Sequence, residues 1–240
     1  MRRNLEYPNT LSFPNHFLRN FAESLKPYSL AFFEGEILCD PSEGWENVFF
    51  HCLSEAVTVK VLCDEISDLD TSSMILAAFL HDAFKRREVE AVDRSQINKP
   101  QAFLESEAAG KTWLRSLGYD DAVVHLQTAF GDTAARKIFL GEIDDFERRL
   151  LHYVDDITHG DQIVPVDQRM TTLENNPRYA EQNEWHRQFF GGLSLYQAKR
   201  QIHTRTEQEV ATKVGIQDPG ALLAWIKERR AELFANSPES

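Results

Sequence analysis

The feature of this sequence that most constrains its fold is an unbroken apolar run, Met74-Ile75-Leu76-Ala77-Ala78-Phe79-Leu80. The run lies in the stretch from Thr71 to Lys85, which favours a helix. The residues before this stretch, Ser67-Asp68-Leu69-Asp70, end the preceding predicted helix. A helix that is apolar on every side has no face for water, so other elements must enclose it. The sequence therefore predicts a buried central helix that ends at His81-Asp82, with the rest of the chain packed around it.

Helical spacing elsewhere predicts the surrounding elements. Apolar residues recur at helical intervals from Trp45 to Ile66, after the capping sequence Asp40-Pro41, and predict one long helix over 42–67. Further helices are predicted at 101–117, from Asp120, at 132–140, at 144–158, twice within 180–214, and from Asp218-Pro219 onward. Residues 86–100 and 161–165 are predicted to be connectors. The predicted class is all-α, with an N-terminal extension packed on the core (1–40), a main helical domain (41–220) and a C-terminal helix with a tail (221–240).

The charge balance limits the partners. The chain has 26 Lys and Arg residues against 38 Asp and Glu residues, which gives a net charge of −12. Such an excess repels anionic membranes and the backbone of nucleic acids, so a small substrate is favoured over a polymer. No apolar run approaches the roughly 18–20 residues that cross a bilayer. Three cysteines without a CxxC pair suit a reducing compartment, so we expect a cytoplasmic protein. Homo-oligomerisation is left open.

Two histidines and two aspartates stand out because each falls in a predicted helix or at its end: His51, His81, Asp82 and Asp155. Divalent ions are bound by imidazole nitrogens and carboxylate oxygens on rigid elements. Neighbouring residues of a helix point about 100° apart, so His81 and Asp82 can converge on one ion where the helix ends at a cavity. Four ligands on a six-coordinate ion leave two positions, for water and for a substrate oxygen.

Three cations follow the His-Asp pair directly, namely Lys85, Arg86 and Arg87, and they would suit an anionic substrate beside the metal. Each part of this pattern also has a plainer interpretation. A single histidine in a helix more often packs or faces solvent, and a Lys-Arg-Arg run is more often a solvated helix face. Residue types and spacing alone leave both interpretations open.

Longer motifs resemble the HD-domain superfamily of metal-dependent phosphohydrolases over roughly 45–220. The helix that carries His51-Cys52-Leu53-Ser54-Glu55 is similar to the first-histidine helix of that family, and His81-Asp82-Ala83-Phe84-Lys85 resembles its HDxxK motif. Tyr153-Val154-Asp155 resembles the Y-A-D motif that supplies its last ligand. The run from Asp161 to Arg169 is similar to the D-x-I-V-x-x-x-x-R run of one bacterial subgroup.

The resemblance implies an HD-type helical bundle that holds one divalent ion, without distinguishing among Mn, Mg, Fe, Co, Ni and Zn. Its ligands would be His51, His81, Asp82 and Asp155. Asp156 is the rival for the last position, and His125 is a candidate ligand for a second metal. Asp161 and Arg169 match the subgroup, and a structural ion pair between them is favoured over a catalytic role.

The activity that this resemblance implies is hydrolysis of a phosphoester or phosphoanhydride bond in a small phosphorylated metabolite, with a nucleotide as the first choice. Asp82 and Lys85 would be catalytic, and the substrate would be bound by Lys85, Arg86, Arg87 and Arg169. Members that cleave nucleoside monophosphates tend to carry Glu at the position of Lys85, which argues against that particular activity. Two alternatives remain: an HD-type protein that senses a ligand without turnover, and a di-iron oxygenase that would need further ligands such as His125.

Overall fold

The structure is a computed structural model that describes residues 6–8, 11–38, 45–94 and 99–235, and it is all-α apart from one short hairpin. The helices of the described residues are α1 (His16–Leu25), α2 (Leu30–Glu34), α3 (Glu46–Glu65), α4 (Thr71–Leu80), α5 (Lys85–Arg94), α6 (Lys99–Ser116), α7 (Asp121–Leu126), α8 (Gly131–Phe139), α9 (Phe146–Ile157), α10 (Val166–Glu174), α11 (Ala180–Trp185), α12 (Leu195–Lys213) and α13 (Leu222–Ala235). Two strands, β1 (Thr158–His159) and β2 (Gln162–Ile163), pair antiparallel.

Helices α3 and α4 pack against each other at the centre of the molecule. In α4 the buried residues are Met74 and the run from Ala77 to Leu80, so this helix is buried on most of its surface, as its apolar sequence predicts. Every residue of α3 from Cys52 to Val59 is also buried. The centre is therefore a pair of helices, and the functional side chains lie on them and on α9.

One hydrophobic core includes residues from Leu18 to Ile226. Phe32 of the N-terminal segment, Phe49 of α3 and Phe79 of α4 form an aromatic cluster with ring centroids 4.9 to 5.8 Å apart. Residues before position 41 and after position 220 thus contribute to the same core as the main body. The predicted boundaries at 40 and 220 are not marked by separate cores.

The prediction of a connector over 86–100 is wrong for its first part, because 85–94 is helix α5. This segment has few apolar residues, but Arg, Glu and Ala are good helix formers. Ion pairs at helical spacing support it, with Lys85 Nζ 3.0 Å from Glu88 and Arg86 Nε 3.2 Å from Glu90. Among the α5 side chains whose burial the structure describes, only Val92 is buried, with 2% of its surface exposed, so the periodic apolar signal was too weak to reveal the helix.

Other element ends differ from the predictions in smaller ways. The predicted connector 161–165 contains β2, which pairs with β1 across a turn where Gly160 has a φ of 63°, and helix α10 follows it directly. Helix α3 begins at Glu46 rather than at 42, and its predicted cap, Asp40-Pro41, lies outside the described residues. Among the described residues, none of the helices has the length and apolar character needed to cross a membrane.

Candidate metal centre and cavity

Three helices bring imidazoles and carboxylates together at one point. His51 and Glu55 are one turn apart on α3, His81 is the C-terminal cap of α4, and Asp155 lies near the end of α9. His51 Nε2 is 2.8 Å from a Glu55 oxygen and 3.7 Å from Asp155 Oδ1. His81 Nε2 is 3.9 Å from the same Asp155 oxygen. The cluster His51, Glu55, His81 and Asp155 can present one ligand atom each, all within 4.8 Å of one another.

The ring of His81 is held in one orientation. Its Nδ1 is 2.8 Å from the carbonyl oxygen of Ala78 and 3.2 Å from Glu55 Oε2, so this nitrogen carries the proton and donates it. The ring also stacks on Phe130, with centroids 4.7 Å apart. Its Nε2 is buried and has no hydrogen-bond partner among the described residues. Because Nδ1 donates to the Ala78 and Glu55 oxygens, Nε2 is the nitrogen that a metal ion would bind in place of a proton, as in the usual metal-binding imidazole.

Glu55 is a fully buried acid that the sequence prediction did not include in the site. Its side chain has no exposed surface, and its two oxygens face His51 and His81. A buried carboxylate is costly unless it is paired with positive charge. Glu55 lies four residues after His51, so both side chains lie on one face of the helix. This spacing is the feature of the sequence from which Glu55 could have been predicted to belong to the site.

Burial and mutual pairing of opposite charges shift the pKa values of the cluster residues. Burial raises the pKa of Glu55 to about 7. Burial alone would lower the pKa of His51, but the Glu55 and Asp155 carboxylates raise it to about 10. Burial would raise the pKa of Asp155, but contact with His51 and the charge of His81 hold it well below its ordinary value. Protons on the imidazoles thus balance the carboxylates.

This donor set fits a divalent metal ion. It supplies two imidazoles and two buried carboxylates, and several of their donor atoms lack hydrogen-bond partners among the described residues: His51 Nδ1, His81 Nε2 and both Glu55 oxygens. A divalent ion would replace the protons that the imidazoles otherwise hold. Glu55 is suited to bind such an ion directly or to orient the two histidines.

Asp82 lies at the edge of the cluster, next to solvent. Its Oδ2 is 3.7 Å from His81 Nε2, and its other oxygen is 3.4 Å from the ammonium of Lys85. Burial would raise the pKa of Asp82, but the charges of Lys85 and His81 lower it. The pKa of Lys85 is raised in turn by Asp82 and Glu88, against the effect of burial. Both side chains keep part of their surface exposed, 24% for Asp82 and 31% for Lys85.

Asp156 belongs to a second, separate cluster. Its Oδ2 is 2.7 Å from His203 Nε2 and 3.6 Å from His152 Nε2, and its Oδ1 is 3.0 Å from Lys199 Nζ. All four side chains are buried. Burial would raise the pKa of Asp156, but the charge of Lys199 and the hydrogen bond from His203 lower it well below its ordinary value. Asp155, and not its rival Asp156, is therefore the aspartate beside His51 and His81.

The second cluster is a poor metal site despite its ligand types. His152, Asp156 and His203 could together present three ligand atoms. The ammonium of Lys199 already neutralises the Asp156 carboxylate, and its pKa is raised by Asp156 and Asp132 although burial alone would lower it. A second cation next to that ammonium would be repelled. We interpret this cluster as a buried network that holds Lys199 in place.

A cavity of about 220 Å³ opens beside the first cluster. Residues of the cluster form part of its wall, together with Asp82 and Asp156. Four cationic side chains also line it, from four different helices: Lys85, Lys111, Arg169 and Lys199. Arg169 has a buried Nε without a hydrogen-bond partner among the described residues. Six acidic side chains line the same cavity: Asp82, Glu88, Glu107, Asp132, Asp155 and Asp156. The cavity therefore presents both signs of charge, and an anion bound there would need a metal ion at the cluster, together with the cations, to offset the carboxylates.

Some predicted site residues lie elsewhere. Arg86 donates to the carbonyl oxygen of Glu36, and Arg87 donates to that of Glu34, so both fix α5 to the segment after α2 and neither lines the cavity. Their predicted role in substrate binding is corrected accordingly: successive residues of a helix point in different directions, and only Lys85 points into the cavity.

His125 and Asp161 also lie outside the site. His125 is exposed in the last turn of α7 and does not line the cavity, so it cannot supply a second metal ligand there. Asp161 and Arg169, both described, form no ion pair. The carbonyl oxygen of Asp161 instead accepts from Ser54 Oγ and Arg230, while Arg169 faces the cavity.

Lys199 and His203 were not predicted to belong to the site. They contact Asp156 of α9, which lies 43 and 47 residues earlier in the chain, and nothing in the local sequence of α12 indicates this contact.

Comparisons with protein-family models, with curated proteins and with solved structures found no match for this chain. The fold and the site define an all-α protein with a buried His/carboxylate cluster that could hold a metal ion, beside a cavity lined by both cationic and acidic side chains.

Proposed function

We propose that this chain is a metal-dependent phosphohydrolase of the HD type, acting on a small phosphorylated metabolite. The observation that carries the proposal is the juxtaposition of the His/carboxylate cluster with four cationic side chains around one cavity. The resemblance of the HDxxK and Y-A-D motifs supports the same conclusion. A divalent ion bound by His51, His81, Asp82 and Asp155 would supply Lewis-acid polarisation of a phosphoryl oxygen and a water of lowered pKa.

The chain's own residues would perform the other steps. Lys85, Arg169 and Lys199 bind the phosphoryl oxygens and offset the negative charge that develops on them. Asp82 is ionised and partly exposed, so it can accept the proton of the attacking water. Glu55 keeps the imidazoles of His51 and His81 in their orientation.

The arrangement of the cavity favours phosphate hydrolysis over the two alternatives, a ligand sensor without turnover and a di-iron oxygenase. A ligand sensor without turnover remains compatible with the fold, but the cluster and the cations face the same cavity, as hydrolysis requires. A di-iron oxygenase would need further ligands, and His125 is exposed and remote from the cavity lining.

Phosphate release from a panel of nucleotides and other phosphomonoesters, with and without Mn²⁺ or Mg²⁺, tests the proposal. We expect divalent-dependent turnover, and we expect Lys85→Gln to lower kcat/KM about 100-fold because a charge contact to the transition state is lost. The matched control is Lys60→Gln, since Lys60 is paired with Asp64 on α3 and does not line the cavity. Absence of divalent-dependent release across the panel would contradict the proposal.

A further inference from the structure

One acidic side chain of the cavity wall has a carboxylate oxygen without a partner. Glu107 lines the cavity from α6, a helix that supplies none of the cluster residues. Its Oε1 accepts from the backbone N–H of Asp132 at 2.9 Å and from that of Thr133 at 3.5 Å. Its Oε2 is buried and has no hydrogen-bond partner among the described residues. One oxygen is thus anchored, while the other is available to a molecule in the cavity.

The surroundings of Glu107 fix its place in the cavity wall. Gly131, at the start of α8, has a φ of 82°, and a Cβ at this position would collide with Glu107 Oε1. Asp132, whose N–H anchors the same oxygen, interacts electrostatically with Lys85 and Lys199. Glu107 is therefore one residue away from two of the cations that would hold the phosphoryl group.

Burial raises the pKa of Glu107 to about 7. The charges of Asp132 on α8 and Glu88 on α5 act in the same direction, whereas the hydrogen bond from α8 and the charge of Lys111 on α6 oppose them. The side chain that α11 contributes to this wall, Gln182, is neutral. At neutral pH the carboxyl group of Glu107 therefore exists in both forms, so it can give up a proton and recover it.

The other acids of the cavity wall are less suited to donate a proton. A general acid needs a pKa near the working pH. Glu88 is paired with the ammonium of Lys85 at 3.0 Å. The remaining four have lowered pKa values and are ionised at neutral pH: Asp82, Asp132, Asp155 and Asp156. Glu107 is the proton donor that this wall offers.

We propose that Glu107 is the general acid that protonates the leaving-group oxygen of the phosphoester, an inference that rests on the proposed function. Water attacks phosphorus and gives a proton to Asp82, the bond from phosphorus to the leaving oxygen breaks, and the proton on Glu107 Oε2 moves to that oxygen, which departs as a hydroxyl group. Asp82 then releases a proton to solvent and Glu107 takes one up, so the net reaction consumes one water molecule. Attack and departure lie on opposite sides of phosphorus, which suits an acid on a helix separate from the metal cluster.

Phenyl phosphate and p-nitrophenyl phosphate test this role, because the nitro group makes the second leaving group far less dependent on a proton. We expect Glu107→Gln to lower kcat/KM about 100-fold for phenyl phosphate and less than about fivefold for p-nitrophenyl phosphate. Glutamine keeps an acceptor for the Asp132 N–H but has no proton to give. Glu105→Gln is the matched control, since Glu105 is exposed on the same helix and does not line the cavity, and it should leave both rates unchanged.

A structural role of Glu107 would lower both rates alike. Equal losses for the two compounds in Glu107→Gln would therefore overturn the inference and leave the proposed function intact. Lys111 is the rival donor, since it lines the cavity and burial lowers its pKa. A selective loss of phenyl phosphate turnover in Lys111→Gln, without one in Glu107→Gln, would also overturn the inference. No divalent-dependent turnover of either compound by the wild-type protein would overturn the proposed function and this inference together.

The wild-type rates keep the inference testable if Glu107→Gln folds poorly. Protonation of the leaving oxygen should make kcat/KM of the wild-type protein for the two compounds differ by less than about tenfold, and a larger difference would overturn the inference.

Infrared titration of the metal-free protein supplies a measurement that does not depend on turnover. A protonated carboxyl group absorbs apart from carboxylates. We expect the difference between the wild-type and Glu107→Gln spectra to contain one such band, which is lost as the pH rises through about 7. Absence of this band at about one pH unit below that value would show that Glu107 has no proton to donate, and it would overturn the inference whatever the rates.

Discussion

Asp155 and Asp156 are adjacent in α9, yet their carboxylates serve different clusters. Neighbouring side chains on a helix point about 100° apart, so Asp155 reaches His51 and His81 while Asp156 reaches His203 and Lys199. The sequence favoured Asp155 through the Y-A-D resemblance. It contained no signal for the partners of Asp156, because those residues lie on α12 and meet α9 only through tertiary packing.

The sequence predicts those site residues that belong to short local motifs. His51, His81, Asp82 and Lys85 belong to such motifs, and all of them line the cavity. Glu55 was missed, although its spacing from His51 places it on the same face of α3. Arg86 and Arg87 were wrongly assigned to substrate binding because a run of cations does not show which of its members points inward.

Within the second cluster, His152 makes the stability of the fold depend on pH. Burial and the nearby charge of Lys199 lower the pKa of His152 from 6.5 to about 4. Between these values the unfolded chain binds a proton that the folded chain does not, so stability falls as pH decreases from 6.5 to 4. We expect His152→Asn, which keeps a donor for the Ala129 carbonyl oxygen, to weaken this dependence by on the order of 3 kcal/mol over that range.

Urea unfolding of both proteins in chelator, at several pH values between 4 and 7, measures this difference. Groups remote from the second cluster contribute equally to the two curves, so the difference between them reports His152 together with its effect on Asp156 and His203. Parallel curves of unfolding free energy against pH would show that the imidazole does not remain neutral in the folded protein.

At the scale of elements, strongly apolar helices were predicted well and polar ones were not. The central helix α4 was evident because every residue of its core run is apolar, and α6 to α9 carried clear periodicity with caps such as Asp120 and Asp145. Helices α5 and α10 were missed since each buries only a few side chains. Their formation depends on helix propensity and on packing against neighbouring helices, which a hydrophobic pattern does not report.

Helix α13 is joined to α3 by one buried arginine. Arg230 is 6% exposed and donates to the carbonyl oxygen of Ser54 at 2.9 Å, to Ser54 Oγ at 2.9 Å and to Thr58 Oγ1. Burial lowers its pKa to about 10. This arginine satisfies polar groups in the middle of α3, one turn from the candidate metal ligands on the same helix.

We expect Arg230→Ala to lower the free energy of unfolding by about 3 kcal/mol, because it leaves several buried acceptors without a donor. Arg229→Ala is the matched control, since the Arg229 side chain is 42% exposed, pairs with Glu232 on its own helix and comes only within 3.9 Å of Glu65 on α3. Chemical denaturation of the two variants provides the comparison. Equal stability of Arg230→Ala and Arg229→Ala would show that α13 is held by its apolar contacts alone.

At the scale of the whole molecule, charge is distributed unevenly. The chain has a net charge of −12, and the cavity beside the cluster brings four cations, Lys85, Lys111, Arg169 and Lys199, together with six carboxylates. One core extends through all three predicted ranges, so the helices that carry these cations are packed against a common centre. Such packing fixes the cations relative to His51 and His81, which a substrate bound between them requires.

The central claim is that the His/carboxylate cluster binds a divalent metal ion. The most direct test is metal stoichiometry, measured by equilibrium dialysis against Mn²⁺ and elemental analysis, for the wild-type chain and for His81→Ala and Asp82→Ala. We predict one ion per wild-type chain and loss of binding in both variants, with their helical content unchanged by circular dichroism. Full occupancy in a folded His81→Ala variant, or no ion in the wild-type protein, would contradict the account.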